Sequence, residues 1–471
     1  MSRIGLSIAT VEYGILKARS RAESQIAKAT LRIATGEQMQ SPADGPADYM
    51  RLSQLQSEQA LLTSTMNNIS RATTVAGGAA DTLDLIRAQV VLIQTELEKE
   101  FDTENPMSAD DRTASQAAID DAITAINNLS RTEFEGIRPL DGSGTYFSSY
   151  DTTEVAGVEV YRKAGTTTQT VEGAVTKAAQ AGSITYTGDA SDLITDDATF
   201  TLTGSDGSKT FSVTAGETLD SLADQINDSS YQTRLVASVD AASHTLTVST
   251  VDYGSAATAS IDVASGTFTT DATSAQGVDA EATLNGQNYT AAGNVFSIHN
   301  EMLDVRIEIA SDFSGTLEDI SIGGSAPSFD VWGEPSLPVA LSLPGVQAVR
   351  LGGVSGNLQE LASGGSLSGL DSNAAAALRV VEESLSDLDR IEGITSGYVD
   401  GTLAAASSVA AARSDNIDDS IEAINGVNYE QQQAVIDLYS DLADNATAGL
   451  IIMSQQRSAI VTLIQQMAGL T

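Results

Sequence analysis

MSRIGLSIATVEYGILKARSRAESQIAKATLRIATGEQMQSPADGP, residues 1–46, sets apolar side chains at Ile4, Ile8, Val11, Ile15, Ala18, Ala22, Ile26, Ala29 and Ile33. The steps alternate between four and three, so one stripe of a helix carries them all. Arg3, Lys17, Arg19, Arg21, Lys28 and Arg32 fall in the same segment and make it locally basic. The run ends where Ser41-Pro42-Ala43-Asp44-Gly45-Pro46 begins, because a proline has no N–H to donate and restricts the residue before it.

Two further helical runs follow. The first places Leu52, Leu55, Leu62, Met66, Ile69, Ala76, Leu83 and Val90 on one stripe, with polar Gln59 and Thr73 interrupting it. The second carries Ile119, Ala122, Ile126 and Leu129 behind Ser108-Ala109-Asp110-Asp111, a capping sequence whose acids suit a helix N-terminus. Helical texture returns near Ala374 with Leu378, Val381, Leu385 and Leu388, then Leu403, Ala410, Ile417, Ile421 and Ile424. Val435, Leu438, Leu442, Met453, Ile460, Ile464, Met467 and Leu470 make the last seam.

A long helix with a one-sided apolar stripe is unstable in water until the stripe is covered. Periodicity alone allows an ordinary intramolecular bundle. It also allows pairing of the two chain ends, and forty helical residues extend about 60 Å. Apolar residues left over from that pairing would need identical neighbours, and contacts that do not close into a ring build a helical polymer.

Between the helical ends the texture changes to Thr, Ser, Gly, Asp and Val. Thr199–Thr203 and Lys209–Val213 alternate with period two around Gly204-Ser205-Asp206-Gly207, a hairpin signal. Glu217–Asn227 reads as a short helix and 235–251 as a second strand pair, giving β-β-α-β-β. The fold class is therefore α+β: long paired terminal helices, coiled-coil-like, with an inserted β-rich region that holds a small β-α-β module.

Composition argues against several functions. Sixty-three acidic and 24 basic residues give a net charge of −39, which repels nucleic-acid phosphates and anionic membranes. There is no Cys, and His244 and His299 are the only histidines, so nothing matches the nitrogen- and sulfur-rich spacing of a zinc site. Gly77-Gly78 and Gly364-Gly365 lack the lysine and spacing of a phosphate loop, and Gly364-Gly365 reads as a flexible junction. No catalytic, cofactor-binding or metal residue is expected. The first residues lack the pattern of a cleaved secretory signal, and no apolar stretch reaches the ~20 residues of a membrane span.

Short motifs carry a resemblance. Leu31-Arg32-Ile33-Ala34-Thr35-Gly36 with Gln40-Ser41-Pro42-Ala43-Asp44-Gly45-Pro46-Ala47 resembles the bacterial flagellin amino-terminal pattern, a helix ending at Gly before a Ser-Pro-x-Asp-x-Pro-Ala turn. Thr132-Glu133-Phe134-Glu135-Gly136 with Leu140-Asp141-Gly142 is similar to that family's T-x-F-N-G…L-D-G turn, with Glu135 in place of the usual Asn. Residues 215–248 resemble the small β-α-β module of flagellin and hook-associated proteins, and Leu351–Gly365 the re-entry into the helical domain. The closing Gln465-Gln466-Met467-Ala468-Gly469-Leu470-Thr471 departs from the Asn-rich ending usual there.

The resemblance implies a non-enzymatic subunit of the flagellar filament, serving motility, that assembles with itself into a helical homopolymer. Residues 1–40 with 430–471 would form the inner core, 41–150 with 331–429 the surrounding shell, and 151–330 the exposed insertion. Ile4, Ile8, Val11, Ile15, Ile460, Ile464 and Met467 would make the assembly seam; Ser41, Pro42, Asp44, Pro46, Phe134, Gly136, Asp141 and Gly142 would shape the turns. Implied partners are other flagellins, hook-associated and cap proteins and an export chaperone, with no nucleic acid and no membrane. The implied location is extracellular, reached through the flagellar type III apparatus without a cleaved signal peptide. Two alternatives stand beside it: a hook–filament junction protein, and a flagellin displaying an adhesive module through Tyr231, Tyr253, Tyr289, Phe329 and Trp332.

Overall fold

A computed structural model of the chain describes residues 2–142, 146–165, 167–333 and 338–467, with the side chains of 2–8 and 467 outside the description. The helices are α1 (Ser2–Thr35), α2 (Pro46–Glu98), α3 (Ala109–Leu129), α4 (Leu219–Asp228), α5 (Ser230–Thr233), α6 (Leu370–Ser396), α7 (Ala404–Asn425) and α8 (Tyr429–Met467). The chain divides into two compact units, a terminal one of residues 1–66 with 408–471 and a central one of 67–407. The α+β class expected from sequence holds.

In the central unit, α2 buries Ala72, Val75, Ala76, Ala79, Leu83, Ile86, Val90, Ile93 and Leu97, close to the heptad spacing of its sequence. The α2 stripe runs one residue out of phase with the sequence reading at two places: Thr65 is 3% exposed and Met66 43%, and Ala72 is buried where Thr73 is exposed. Thr65 satisfies its hydroxyl by donating to Leu61 O at 3.1 Å, so a polar side chain takes the covered position. Ser108 and Asp111 form the expected capping box at the start of α3. Arg87 of α2 pairs with Glu392 of α6 at 2.8 Å and with Asp389.

The β-rich insertion has two cores. A five-stranded sheet orders 147–149, 315–323, 169–177, 281–284 and 287–290; a three-stranded one orders 295–299, 303–309 and 155–163. Val155, Val171, Phe296, Ile307, Ile320 and Ile322 lie in the core that serves both. Inserted within that chain stretch is the β-β-α-β-β unit, as its alternation predicts. Its two hairpins do not share a sheet: 198–203 and 208–213 join strands 258–266 and 274–276, while 235–240 and 245–250 join 183–187. The α4 helix, capped by Thr218 accepting from Ser221 N at 3.2 Å, buries Leu219, Leu222, Ala223 and Ile226 in the core common to both sheets. Among the described residues the strand pairings in these sheets are antiparallel, so each hairpin forms locally.

The Gly364-Gly365 segment is a packed turn, contrary to the flexible junction read from sequence. Gly364 has φ +88°, an added Cβ at Gly365 would run into the Glu360 carbonyl, and Gly365 N donates to Ala362 O at 2.8 Å.

Candidate assembly surface

The candidate assembly surface lies on α1 and α8, which pack side by side and antiparallel in the terminal unit: Glu12 pairs with Arg457, Ile15 lies against Gly449, and Gly36 lies against Tyr429. Ala22 and Ala29 are buried and Ile15, Ile26 and Ile33 half-buried, so the mutual face uses the heptad stripe. On α8 the half-covered residues include Ile436, Tyr439, Ala443, Leu450 and Met453.

Much apolar surface stays outside that contact. Val11, Leu16, Leu438, Leu442, Ile460 and Ile464 are exposed, several close to half. Of the seven seam residues named from sequence, Ile15 is half-buried against α8 and Val11, Ile460 and Ile464 face solvent. The side chains of Ile4, Ile8 and Met467 lie outside the described residues.

The turn motifs fix how α1 ends. Gly36 takes φ +72°, a left-handed cap whose N–H donates to Arg32 O at 2.9 Å. Gln38 N and Met39 N then donate to Asn425 O and Oδ1 at 2.7 and 2.8 Å, tying the exit of α1 to the α7–α8 junction. Pro42–Asp44 make a 3₁₀ turn in which Asp44 Oδ2 accepts from Ser41 N and Oγ, both at 3.1 Å, and Pro46 opens α2. Desolvation pushes the Asp44 carboxyl up, but the bonds from Ser41 and Gln40 and the Arg32 charge outweigh it and hold the group below its ordinary value.

In the central unit, Phe134 and Ile137 exchange both backbone hydrogen bonds at 2.8 Å around Glu135 (φ +51°) and Gly136 (φ +78°). Both central residues are left-handed, as a two-residue hairpin turn demands. The Phe134 ring lies against Gly78 so closely that an added Cβ there would strike it. Gly142 (φ +72°) sits over Gly345, and Leu140 O and Asp141 O accept from Val346 N at 2.9 Å and Gln347 Nε2 at 2.6 Å.

The aromatic anchors considered for an adhesive module are mostly absorbed into packing. Phe329 is buried, Tyr253 and Tyr289 pack on a β core, and Tyr231 lies tilted against Phe101 with ring centroids 4.9 Å apart; of the five, Trp332 stands exposed. His244 sits in a turn with Nδ1 2.7 Å from Asp192 Oδ1, and His299 on a strand with Nδ1 2.8 Å from Asp304 Oδ2. Ion pairs from the insertion to α6, Arg234 with Glu383 at 2.9 Å and Arg390 with Glu159 at 2.6 Å, escaped sequence reading. Charged residues are too common in this chain for spacing to single them out.

Known proteins align with these parts. Residues 15–145 match the bacterial flagellin N-terminal helical region, and residues 199–252 match the flagellin hook IN motif. No curated protein matches. Among solved structures, the D2-D3 domains of the flagellar cap protein FliD from Serratia marcescens are 19% identical, covering 36% of this chain and 99% of theirs at a TM-score of 0.26. FliD D1-D2-D3 from Escherichia coli is 17% identical over 45% of this chain and 64% of its own, at 0.28. FlgL from Xanthomonas campestris is 11% identical over 85% of this chain and 99% of its own, at 0.21. With the amino-terminal region matched on α1 to α3 and the hook motif on the hairpins around α4, these matches support a flagellin-family protein, a structural subunit of the bacterial flagellum, an extracellular appendage.

Proposed function

We propose that the chain is the filament subunit and polymerises through the apolar faces that α1 and α8 leave open. The observation that carries this reading is the exposure of Val11, Leu16, Leu438, Leu442, Ile460 and Ile464 on a helix pair that has already used its mutual face. Each aliphatic side chain fully buried by a neighbour contributes roughly 1.5–3 kcal/mol, repeated at every subunit. Ile4, Ile8 and Met467 extend the same seam, while Ile15 packs between α1 and α8. Residues 1–40 with 430–471 make the inner core, 41–150 with 331–429 its shell, and 151–330 the outward surface. Export runs through the flagellar type III apparatus with a chaperone. Hook-associated and cap proteins are the filament's end partners, and the chain carries no catalysis.

Ile464→Asp, like Ile8→Asp, leaves a folded monomer by circular dichroism that does not elongate seeds; normal elongation by both removes the seam. Immunogold labelling separates filament from junction: label along the whole filament supports the proposal, and label confined to a ring at its base replaces it with the junction reading.

A further inference from the structure

The terminal helices differ in charge as well as in apolar surface. Between Ser2 and Thr35, α1 has six basic and two acidic residues; between Tyr429 and Met467, α8 has four acidic and one basic. Lys17, Arg21 and Lys28 stand within about 40° of one another on α1, and Asp437, Asp441 and Asp444 within about 60° on α8, at ~100° per residue. All six are exposed.

Among the described residues none of the six forms an ion pair; Asp437 accepts a hydrogen bond from Gln433 of its own helix, 2.9 Å away. The antiparallel pairing that sets Gly36 beside Tyr429 brings Arg21 level with Asp444 and Lys28 level with Asp437. The stripes thus share a height but lie on outer faces, away from the contact between the two helices. Lys17 with Arg21 and Asp437 with Asp441 are like charges at i,i+4, which repel within each helix. Each stripe is unfavourable alone and complementary to the other.

We propose that the Lys17–Arg21–Lys28 stripe of one copy docks on the Asp437–Asp441–Asp444 stripe of a second copy and sets the register of their lateral contact. The inference rests on the polymer reading and adds to it the partner surface and its axial alignment. One face meets a different face, so the contact is heterologous and repeats from copy to copy without closing. Apolar burial drives the association, while the charge pairs choose which neighbour and which height.

The test uses full-length protein elongating wild-type seeds at low salt. K17E/R21E/K28E makes both stripes acidic, and D437K/D441K/D444K makes both basic. Each alone elongates at least about tenfold more slowly than wild type, and about 0.5 M salt narrows the gap by screening. An equimolar mixture of the two recovers, because in alternation every acidic stripe meets a basic one. Wild-type rates from either variant alone, or folded variants whose mixture fails to recover, overturn the pairing and leave the polymer reading intact. A wild type that never elongates overturns both.

Discussion

Of the two units, the terminal one leaves seventeen large apolar side chains exposed among the described residues, against nine in a central unit more than twice as long. The central unit closes on itself: Phe200 is 1% exposed, stacked on Phe268 at 4.3 Å, which stacks in turn on Tyr186 at 4.0 Å. The terminal helices instead cover one stripe and expose the next. The lesson is one of where stability comes from. A β core gains its burial within the chain, whereas a two-helix pair has too little inward surface to bury all its apolar residues and leaves the rest open to a neighbour.

The sharpest way to break that contrast is Phe200→Ala. It should cost about 3–5 kcal/mol and lower the central unit's melting transition, since the site cannot collapse around the missing ring. Seed elongation below that transition should continue, because the substitution lies in the central unit and α1 and α8 belong to the terminal one. A variant that melts normally but fails to elongate would reverse the assignment of roles.

A smaller effect comes from Glu382 of α6, whose Oε2 is buried without a hydrogen-bond partner. Burial raises its carboxyl, with Asp206 and Glu383 adding to the rise and Arg234 and Arg379 opposing it, from the ordinary 4.5 to about 7. A raised carboxyl pKa means that the folded state holds the proton longer, so stability falls as pH rises from about 4.5 to about 7. Glu382→Gln should remove that loss, gaining on the order of 1 kcal/mol at pH 8 relative to pH 5 after solvent screening. Parallel denaturation profiles of the two proteins across that range would reject the account. The change lies in the central unit and should leave elongation rates alone.

The smallest expected change is Glu135→Asn. Glu135 is held at φ +51°, where Asn is tolerated better than a longer side chain, so chemical denaturation should show a gain of about 0.5 kcal/mol. A loss would mean that the Glu135 side chain stabilises the turn in some way its backbone does not reveal.

The same comparison marks what sequence could reveal. Helix phase was readable wherever burial follows apolar spacing, as at Ala22 and Ala29 or Leu83 and Val90, because one covered face imposes one period. It slipped at Thr65 and Met66, where a hydroxyl bonded to its own helix makes a polar residue acceptable inside. The hairpins around α4 were legible from alternation and turn residues. Their separation into two sheets was not, since strand partners at 183–187 and 258–266 are set by contacts distant in sequence. Gly364-Gly365 looked loose because glycine permits both slack and close packing, and only the approach of the Glu360 carbonyl distinguishes them. For the assembly surface, the stripes were visible, but which residues face the partner helix and which face solvent depends on the α1–α8 packing.

The most direct test of the central claim is electron microscopy of seeded assembly, full-length protein beside a version lacking residues 1–40. Filaments from the full chain and none from the truncated one are the predicted result, with the central unit folded in both by circular dichroism. Equal elongation by the two would contradict an assembly surface built on α1 and α8.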